Sequence, residues 1–194
     1  MARPREFDRE IAVERAMNVF WAKGFAATST EDLVAAMGIG RQSLYNAFGD
    51  KRRLYFEALD TYQQATIAGH MKRLSAPASP VAGIRDLLLG LVADDDKQRA
   101  NGCMGVGATA EFGTCDATLA KLKAKAAPLL LSRLVARLRE GQTSGELDRD
   151  MNPEEAANFV LMTMTGIQLA ARGGAGVTDL KRMARFATNR LKAR

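Results

Sequence analysis

Apolar residues recur along this chain at intervals of three and four positions, which is the spacing of one face of an α-helix. No run of alternating apolar and polar residues lies between turn signals, as a half-buried β-strand would require. The pattern therefore predicts an all-α protein of about nine helices. The predicted helices span residues 8–23, 30–37, 41–48, 51–74, 81–97, 102–112, 118–140, 153–172 and 178–192.

Several of these helices have recognisable ends in the sequence. Ser29 precedes Asp32 by three positions, a variant of the capping box in which each side chain accepts a hydrogen bond from the other residue's backbone. Asn152 before Pro153 is a strong helix start, because asparagine caps the first turn and proline fits the first helical position. Pro128 lies inside the helix predicted at 118–140, and it predicts a kink there.

Composition excludes several classes of protein. The chain has 194 residues, 47% of them hydrophobic, so it can bury a substantial core. Its apolar runs stop short of the ~20 residues that a bilayer span needs, and its first residues do not resemble a secretory signal. We therefore expect a cytoplasmic protein with no membrane partner. Two cysteines and one histidine cannot complete a four-ligand zinc site within one chain, and we expect no metal or other cofactor.

The charge of the chain permits an anionic partner such as nucleic acid but does not identify one. The formal net charge is +6, yet residues 1–73 carry 11 Lys and Arg against 9 Asp and Glu. Binding to nucleic acid would therefore depend on the local placement of basic side chains. The candidates for that role are Arg41, Lys51, Arg52, Arg53 and the N-terminal arm residues Arg3 and Arg5.

The helices predicted at 30–37 and 41–48 are separated by a short turn around Gly38. This is the order of a helix-turn-helix unit, although many all-α proteins contain such a pair. The core of this unit is expected to contain Leu33, Ile39, Leu44 and Phe48. The identities of the residues are a stronger signal than the spacing of the two helices. Over about the first 60 positions, they resemble the N-terminal signature of TetR-family transcriptional regulators. The matching residues are Gly24-Phe25, Thr28-Ser29, Asp32-Leu33, Ala36, Gly38-Ile39, Leu44-Tyr45, Phe48, Lys51 and Leu54.

The resemblance implies that residues 41–48 are a recognition helix, which enters the major groove of double-stranded DNA at a palindromic operator. Arg41 and Gln42 at its start have donors and acceptors that suit guanine or adenine edges. The family positions that commonly contact phosphates are occupied here by Thr28, Ser43, Tyr45, Asn46 and Lys51. Two positions depart from the family pattern, because Gly40 stands where a capping Ser or Thr is usual and Asn46 where His is common.

The resemblance also implies a division of the chain into a helix-turn-helix domain at 1–50, a connecting helix at 51–74 and a ligand-binding and dimerisation domain at 75–194. A Ser-, Ala- and Pro-rich segment at 75–80 supports this boundary. One recognition helix contacts few bases, so a homodimer is favoured over packing of the last two helices within a monomer alone. The predicted dimer interface contains Ala156, Phe159, Val160, Ile167, Leu180, Met183 and Ala187.

Cys103 lies at the start of the helix predicted at 102–112, where free backbone amides and the helix dipole favour the thiolate. Gly102-Cys103, Ala110-Glu111 and Asp116 are similar to a branch of the family that includes cysteine-based sensors of electrophiles and oxidants. The alternative is that this thiol is a small buried apolar group. A small-molecule effector pocket is expected to be lined by the following residues, unless they are simply core: Cys103, Met104, Phe112, Phe159, Met162 and Met164.

These features favour a homodimeric transcriptional repressor that a small-molecule effector releases from DNA. A cysteine-dependent enzyme is the rival class, with Cys103 as nucleophile and no other candidate catalytic residue. Against it, His70 is the only histidine, lies far along the chain and is expected to be a surface or hinge residue. A helical interaction module without regulatory function is the third class, and the DNA-type residues at 41–48 argue against it.

Overall fold

The computed structural model describes residues 7–113 and 115–193, and these residues form the all-α fold that the sequence predicts. Within these ranges no strand is present, and Leu147 and Lys192 form one isolated bridge. The helices are α1 (Arg9–Lys23), α2 (Thr30–Met37), α3 (Arg41–Phe48), α4 (Lys51–Ser75), α5 (Pro80–Leu89), α6 (Asp96–Asn101), α7 (Met104–Phe112), α8 (Ala117–Ser144), α9 (Pro153–Arg172) and α10 (Val177–Arg190).

Most helices begin where the sequence places a capping residue. The Asp8 carboxylate accepts hydrogen bonds from the second and third residues of α1. Ser29 and Asp32 form the predicted capping box at the start of α2. Asn152 caps α9 as predicted, and Asp50 caps α4. These contacts join residues within one turn of each other, so the sequence alone is enough to locate the helix ends.

Two predicted helices differ from the structure by more than two residues at one end. The helix predicted at 81–97 is divided into α5 and α6, because α5 ends before Gly90 and Asp95 caps a separate short helix. The helix predicted at 118–140 continues to Ser144 and passes through Pro128 as a single element. The division of the first of these raises the number of helices in the described ranges from about nine to ten.

Two hydrophobic clusters hold the helices together. The N-terminal cluster is formed mainly by α1 to α4, and it buries the predicted core residues Leu33, Ile39, Leu44 and Phe48. The C-terminal cluster is formed by α5, α8, α9, α10 and the end of α4. Because α4 contributes Leu59 to the first cluster and Leu74 to the second, one continuous helix connects them.

Helix α7 follows α4 by almost thirty positions but packs against the N-terminal cluster. Its Met104 and Ala108 are buried there, together with Leu119 from the start of α8. At its other end, Phe112 lies 5.0 Å from Phe25 between ring centres. Helix α7, which follows Cys103, is therefore in direct contact with the helix-turn-helix part of the chain.

Candidate nucleic-acid interface and effector cavity

A tight turn joins α2 to α3. Gly38 ends α2 with φ of 68°, a left-handed conformation that glycine adopts without steric cost, and its N–H donates to the Val34 carbonyl at 3.0 Å. Gly40 precedes α3 and provides no capping side chain, as the sequence predicts. Leu44 and Phe48 are buried and fix α3 to the N-terminal cluster. The other side of α3 is consequently exposed to solvent.

That exposed side of α3 carries four residues predicted to bind DNA, which we call the α3 surface: Arg41, Gln42, Tyr45 and Asn46. The Gln42 amide donates a hydrogen bond to Asn46 Oδ1 at 3.0 Å. The Arg41 guanidinium donates to the Glu31 carboxylate at 3.1 Å, in an exposed ion pair. Ser43 is half-buried on the same helix. The structure thus brings these predicted residues together and pre-orients their polar groups.

Two residues of α2 that were not predicted from the sequence contact the α3 surface, Thr30 and Glu31. A hydrogen bond from Thr30, followed in size by one from Arg41, lowers the pKa of the Tyr45 hydroxyl below its usual value. Glu31 pairs with Arg41 as described above. Their place in the first turn of α2 was visible, but their contact with α3 depends on the angle between two helices. The predicted arm residues lie outside the described residues: Arg3 and Arg5.

Thr28 and Lys51 contact the loop between α1 and α2 rather than the α3 surface. Thr28 is buried, and its hydroxyl donates to the Gly24 carbonyl at 2.6 Å. Lys51 Nζ donates to the carbonyls of Phe25 at 2.9 Å and Thr28 at 2.8 Å, and it lies 4.3 Å from the centre of the Phe25 ring. This geometry engages both side chains within the loop, and direct phosphate contacts by them stay a prediction. It makes Lys51 a support of the loop that precedes α2.

An open cavity of about 640 Å³ lies between α4, α7, α8 and α9. Ile67, Val106 and Leu169 give it a largely apolar wall, and Cys103 lines it as well. Its polar lining groups are Tyr62, Gln63, Thr66, His70, Thr109, Lys123 and Thr165. A cavity of this size and lining suits a small organic molecule with a few polar groups.

Of the six residues predicted to bind an effector, Cys103 lines this cavity and the other five do not. Met104 and Phe112 pack in the N-terminal cluster, and Met164 packs in the C-terminal cluster. Phe159 and Met162 are exposed on α9. The spacing of apolar residues marked these positions correctly as helical faces. It could not distinguish a cavity wall from a core or from an outer surface.

Two residues of the cavity have shifted pKa values. Burial in the first place, and then the neighbouring Cys103 thiol, raises the pKa of Tyr62, so its phenol keeps the proton. Burial, with a smaller contribution from Arg73, lowers the pKa of His70 from 6.5 to about 4. His70 Nδ1 is buried and has no hydrogen-bond partner within the described residues. A second cavity of about 370 Å³ lies on the other side of His70, so this residue is a wall between two spaces rather than a surface group.

The residues predicted to form a dimer interface divide into two groups. Five of them are buried in the C-terminal cluster of their own chain: Ala156, Val160, Ile167, Leu180 and Ala187. The other two, Phe159 and Met183, are 41% and 51% exposed. Three further apolar residues of α9 and α10 are exposed, Met162 at 74%, Leu169 at 60% and Phe186 at 54%. We call these five exposed residues the α9–α10 face.

Other kinds of site find no support in the described part of the chain. There, no three His, Cys, Asp or Glu side chains are grouped so that they could hold a metal ion. None of the described helices combines the length and the apolar character that crossing a membrane demands. Cys103 and Cys115 are both free, the first half-buried and the second exposed.

Both halves of the chain match models of one protein family. Residues 12–58 match the model of bacterial regulatory proteins of the tetR family, and residues 80–187 match the tetracyclin repressor-like C-terminal domain. The uncharacterized HTH-type transcriptional regulator YezE of Bacillus subtilis (strain 168) is 35% identical over 183 residues, 93% of this chain and 94% of that protein. The HTH-type transcriptional repressor ComR of Escherichia coli (strain K12) is 27% identical over 184 residues, 94% of this chain and 88% of that protein.

Solved structures agree with these matches. A cysteine mutant of the TetR family transcriptional regulator CifR, complexed with 26bp double-strand operator DNA, superposes with a TM-score of 0.81 at 29% identity. The match covers 98% of this chain and 100% of that one. A TetR family regulator from Agrobacterium tumefaciens has the same fold, with a TM-score of 0.81 at 20% identity over 95% and 97% of the two chains. The helix-turn-helix geometry, the family models and these relatives together establish that the chain belongs to the TetR family and is a DNA-binding transcriptional regulator.

Proposed function

We propose that this regulator is a homodimeric repressor that binds a palindromic operator through α3 and leaves it when a small molecule occupies the cavity beside Cys103. The observation that carries the proposal is the α3 surface. Four adjacent polar side chains face solvent on a helix whose opposite side is fixed by Leu44 and Phe48. Side chains with this placement can reach base edges and phosphates without any rearrangement of the fold.

Arg41 and Gln42 contact base edges in the major groove, and Ser43, Tyr45 and Asn46 contact phosphates. On binding, Arg41 exchanges its partner Glu31 for DNA. The exposed ion pair between the two contributes at most about 1 kcal/mol, so its loss is a small cost beside a good contact with guanine, about 1–3 kcal/mol. Glu31 keeps the guanidinium oriented in the free protein.

Lys51 and Thr28 support DNA binding indirectly. Both hold the loop that leads into the capping residue of α2. Loss of this support would loosen the whole helix-turn-helix, so it would weaken binding to every DNA sequence alike. This role replaces the direct phosphate contact that the sequence predicts.

The α9–α10 face forms the dimer interface. Exposed apolar side chains at five positions of two adjacent helices are a surface that a second copy of the chain would cover. A dimer related by a two-fold axis carries two α3 helices and so matches a palindromic operator. The similarity of nearly the whole chain to CifR, whose structure contains double-strand operator DNA, supports the binding of this chain to operator DNA.

The cavity binds the effector, and Cys103 is the residue that senses it. Cys103 precedes α7 as its capping residue, where the backbone amides of the first turn are unsatisfied, and its thiol lies at the cavity wall beside Tyr62. A small electrophile or oxidant could react there without unfolding the protein. Cys115 is exposed and does not line this cavity, so it provides a matched control.

Repression rather than activation is supported by curated relatives. ComR of Escherichia coli (strain K12) and DhaR of Mycobacterium sp. (strain GP1), which is 23% identical over 161 residues, are both named as transcriptional repressors. A reporter gene placed behind the operator tests this part. We expect lower expression when the regulator is present and higher expression when α3 carries Arg41→Ala.

A gel-shift titration tests the effector part, with duplex DNA from upstream of the chain's own gene and N-ethylmaleimide as the probe. The Cys103 sulfur adds to one alkene carbon of the maleimide, the π bond opens, and the resulting enolate takes a proton from water. We expect the labelled wild type and labelled Cys115→Ser to lose operator affinity, and Cys103→Ser to keep it. If N-ethylmaleimide still releases Cys103→Ser from the operator, Cys103 is not the sensor.

A further inference from the structure

The two ends of α7 lie in two different places. Its first end follows Cys103, which lines the 640 Å³ cavity. Its last two residues, Glu111 and Phe112, contact the helix-turn-helix part of the chain. The nine residues of the helix span about 13 Å at 1.5 Å per residue. A short rigid element therefore joins the cavity to the DNA-binding part directly, without passing through α4.

The contact at the second end is made by one carboxylate. Glu111 Oε1 accepts a hydrogen bond from the N–H of Phe25 at 3.0 Å, and Oε2 accepts one from the N–H of Ala26 at 2.8 Å. A side chain at Gly24 would obstruct this approach, because a Cβ there would lie 2.4 Å from Glu111 Oε1. Both oxygens are thus used on consecutive amides of the loop between α1 and α2, from 86 and 85 positions away.

The same loop is held from the other side by a cation. Lys51 donates to the carbonyls of Phe25 and Thr28, and the next residue, Ser29, caps α2. Glu111 takes the N–H groups of the loop and Lys51 takes its C=O groups, so the two charges fix its position together. Because the loop leads directly into α2, its position sets where α2 and α3 begin.

Aromatic packing next to Glu111 makes the end of α7 rigid. Phe112 lies 5.0 Å from Phe25, 5.3 Å from Tyr55 and 5.1 Å from Phe56, measured between ring centres. Phe25 therefore contacts α7 through both its backbone, at Glu111, and its ring, at Phe112. A displacement of α7 would therefore act on this loop through both contacts.

We propose that Glu111 is the positioning residue that couples the cavity to the helix-turn-helix. When a molecule in the cavity or an adduct on Cys103 shifts the start of α7, Glu111 pulls on or releases the amides of Phe25 and Ala26. The loop then changes the placement of α2 and α3 relative to DNA. This inference rests on the proposed function in one respect, since it takes the cavity to be the effector site.

The test compares operator affinity before and after N-ethylmaleimide labelling in wild type and two variants. Glu111→Ala removes both hydrogen bonds to the loop. The matched control Asp116→Asn removes the charge of a different carboxylate, which pairs with Arg52, and keeps an acceptor for the cap of α8. We expect labelling to weaken the wild type and the control by about tenfold or more, and Glu111→Ala by less than about threefold.

Amide hydrogen exchange of the loop provides a second readout that does not depend on DNA. Labelling Cys103 should speed exchange at Phe25 and Ala26 in the wild type, and Glu111→Ala should exchange fast there before any labelling. Val106→Trp, which fills the cavity without chemistry, should act like labelling. These measurements also identify a variant that fails to fold, because its core amides would lose protection as well.

The outcomes separate this inference from the proposed function. If labelling or Val106→Trp changes the loop amides of the wild type, and not those of Glu111→Ala, but operator binding persists, Glu111 does carry a change from the cavity to the loop, and the release of operator in the proposed function is wrong. If operator is released while the loop amides of the wild type stay unchanged, the cavity is the effector site and the inference about Glu111 is overturned. If labelling weakens operator binding by Glu111→Ala as much as by the wild type, the inference about Glu111 is overturned as well.

Discussion

The indole Nε1 of Trp21 donates a hydrogen bond to the backbone oxygen of Gly102 at 2.9 Å, across 81 positions of the sequence. The Trp21 ring also packs edge-on against Tyr62, at 5.2 Å between ring centres. Arg172 adds hydrogen bonds to the carbonyls of Trp21 and Asn101. The residues just before Cys103 therefore contact the end of α1, whereas Glu111 at the other end of α7 contacts the loop that precedes α2.

Trp21→Phe should keep the aromatic packing and remove the hydrogen bond to Gly102. We expect the free energy of unfolding to fall by about 1 kcal/mol, because the carbonyl loses a part-buried partner. Urea denaturation of wild type and variant measures this loss. A variant as stable as the wild type would show that water replaces the indole at no cost.

Arg41→Ala should weaken binding to the operator by about 1–3 kcal/mol and relax the preference at one base pair of each half-site. The reason is that only Arg41 offers a guanidinium on the α3 surface. Competition titrations with single-base operator variants measure the preference. Arg53→Ala, which removes an exposed cation outside α3, is the control and should leave the preference as it is. An unchanged preference in Arg41→Ala would exclude base contact by this residue.

Lys51→Met should weaken binding to specific and random DNA alike, because it removes the ammonium that holds the loop before α2. The salt dependence of the affinity distinguishes this role from a phosphate contact. We expect the slope of log K against log salt to stay as in wild type, whereas loss of a phosphate contact would lower it by about 0.9. Lys72→Met, at the far end of α4, is the control.

Met183→Glu combined with Phe186→Glu should convert the dimer to a folded monomer, since both side chains are exposed on the α9–α10 face. Sedimentation velocity measures the oligomeric state of the variant. Leu129→Glu, which places the same charge on an exposed apolar position of α8, should remain dimeric. A double variant that stays dimeric would show that the dimer interface lies on another surface. A charged substitution at Ile167 would not test the dimer interface, because Ile167 is buried within its own chain.

His70 should make stability depend on pH. Its pKa is lowered by burial to about 4 from an ordinary value of 6.5, so between these values the unfolded chain binds more protons than the folded chain. Stability is then lost as pH falls from about 6.5 towards 4. Between pH 7.5 and 5 we expect the wild type to lose about 2 kcal/mol more than His70→Gln. Because the chain has one histidine, the comparison isolates this group, and parallel pH profiles of the two proteins would contradict it.

The helix-turn-helix was predictable because its determinants are local. The capping box of Ser29 and Asp32 joins positions three apart, and Leu44 and Phe48 are one helical turn apart. The break between α5 and α6 had local signals as well, Gly90 and Asp95, but continuous apolar spacing outweighed them. Such signals specify where helices begin and end and which side of a short helix is buried.

The cavity and the loop contacts were not predictable in the same way. Glu111 contacts Ala26 from 85 positions away, and no spacing rule connects such residues before the fold is known. In α9, neighbours such as Phe159 and Val160 are both apolar, although one is exposed and the other buried. The three- and four-residue periodicity therefore selected mainly residues that are buried within their own chain. Which apolar side faces the core depends on α8 and α10.

Selection from a pool of random duplex DNA is the decisive experiment for sequence-specific recognition of a palindrome by two copies of α3. Repeated rounds of binding to the full chain, followed by sequencing, measure which sequences are enriched. We predict that the wild type enriches one motif with two inverted half-sites. Arg41→Ala should enrich the same motif with a changed base preference at one position of each half-site. Enrichment of no motif, or of one identical for wild type and Arg41→Ala, would rule out base-specific recognition through Arg41 on α3.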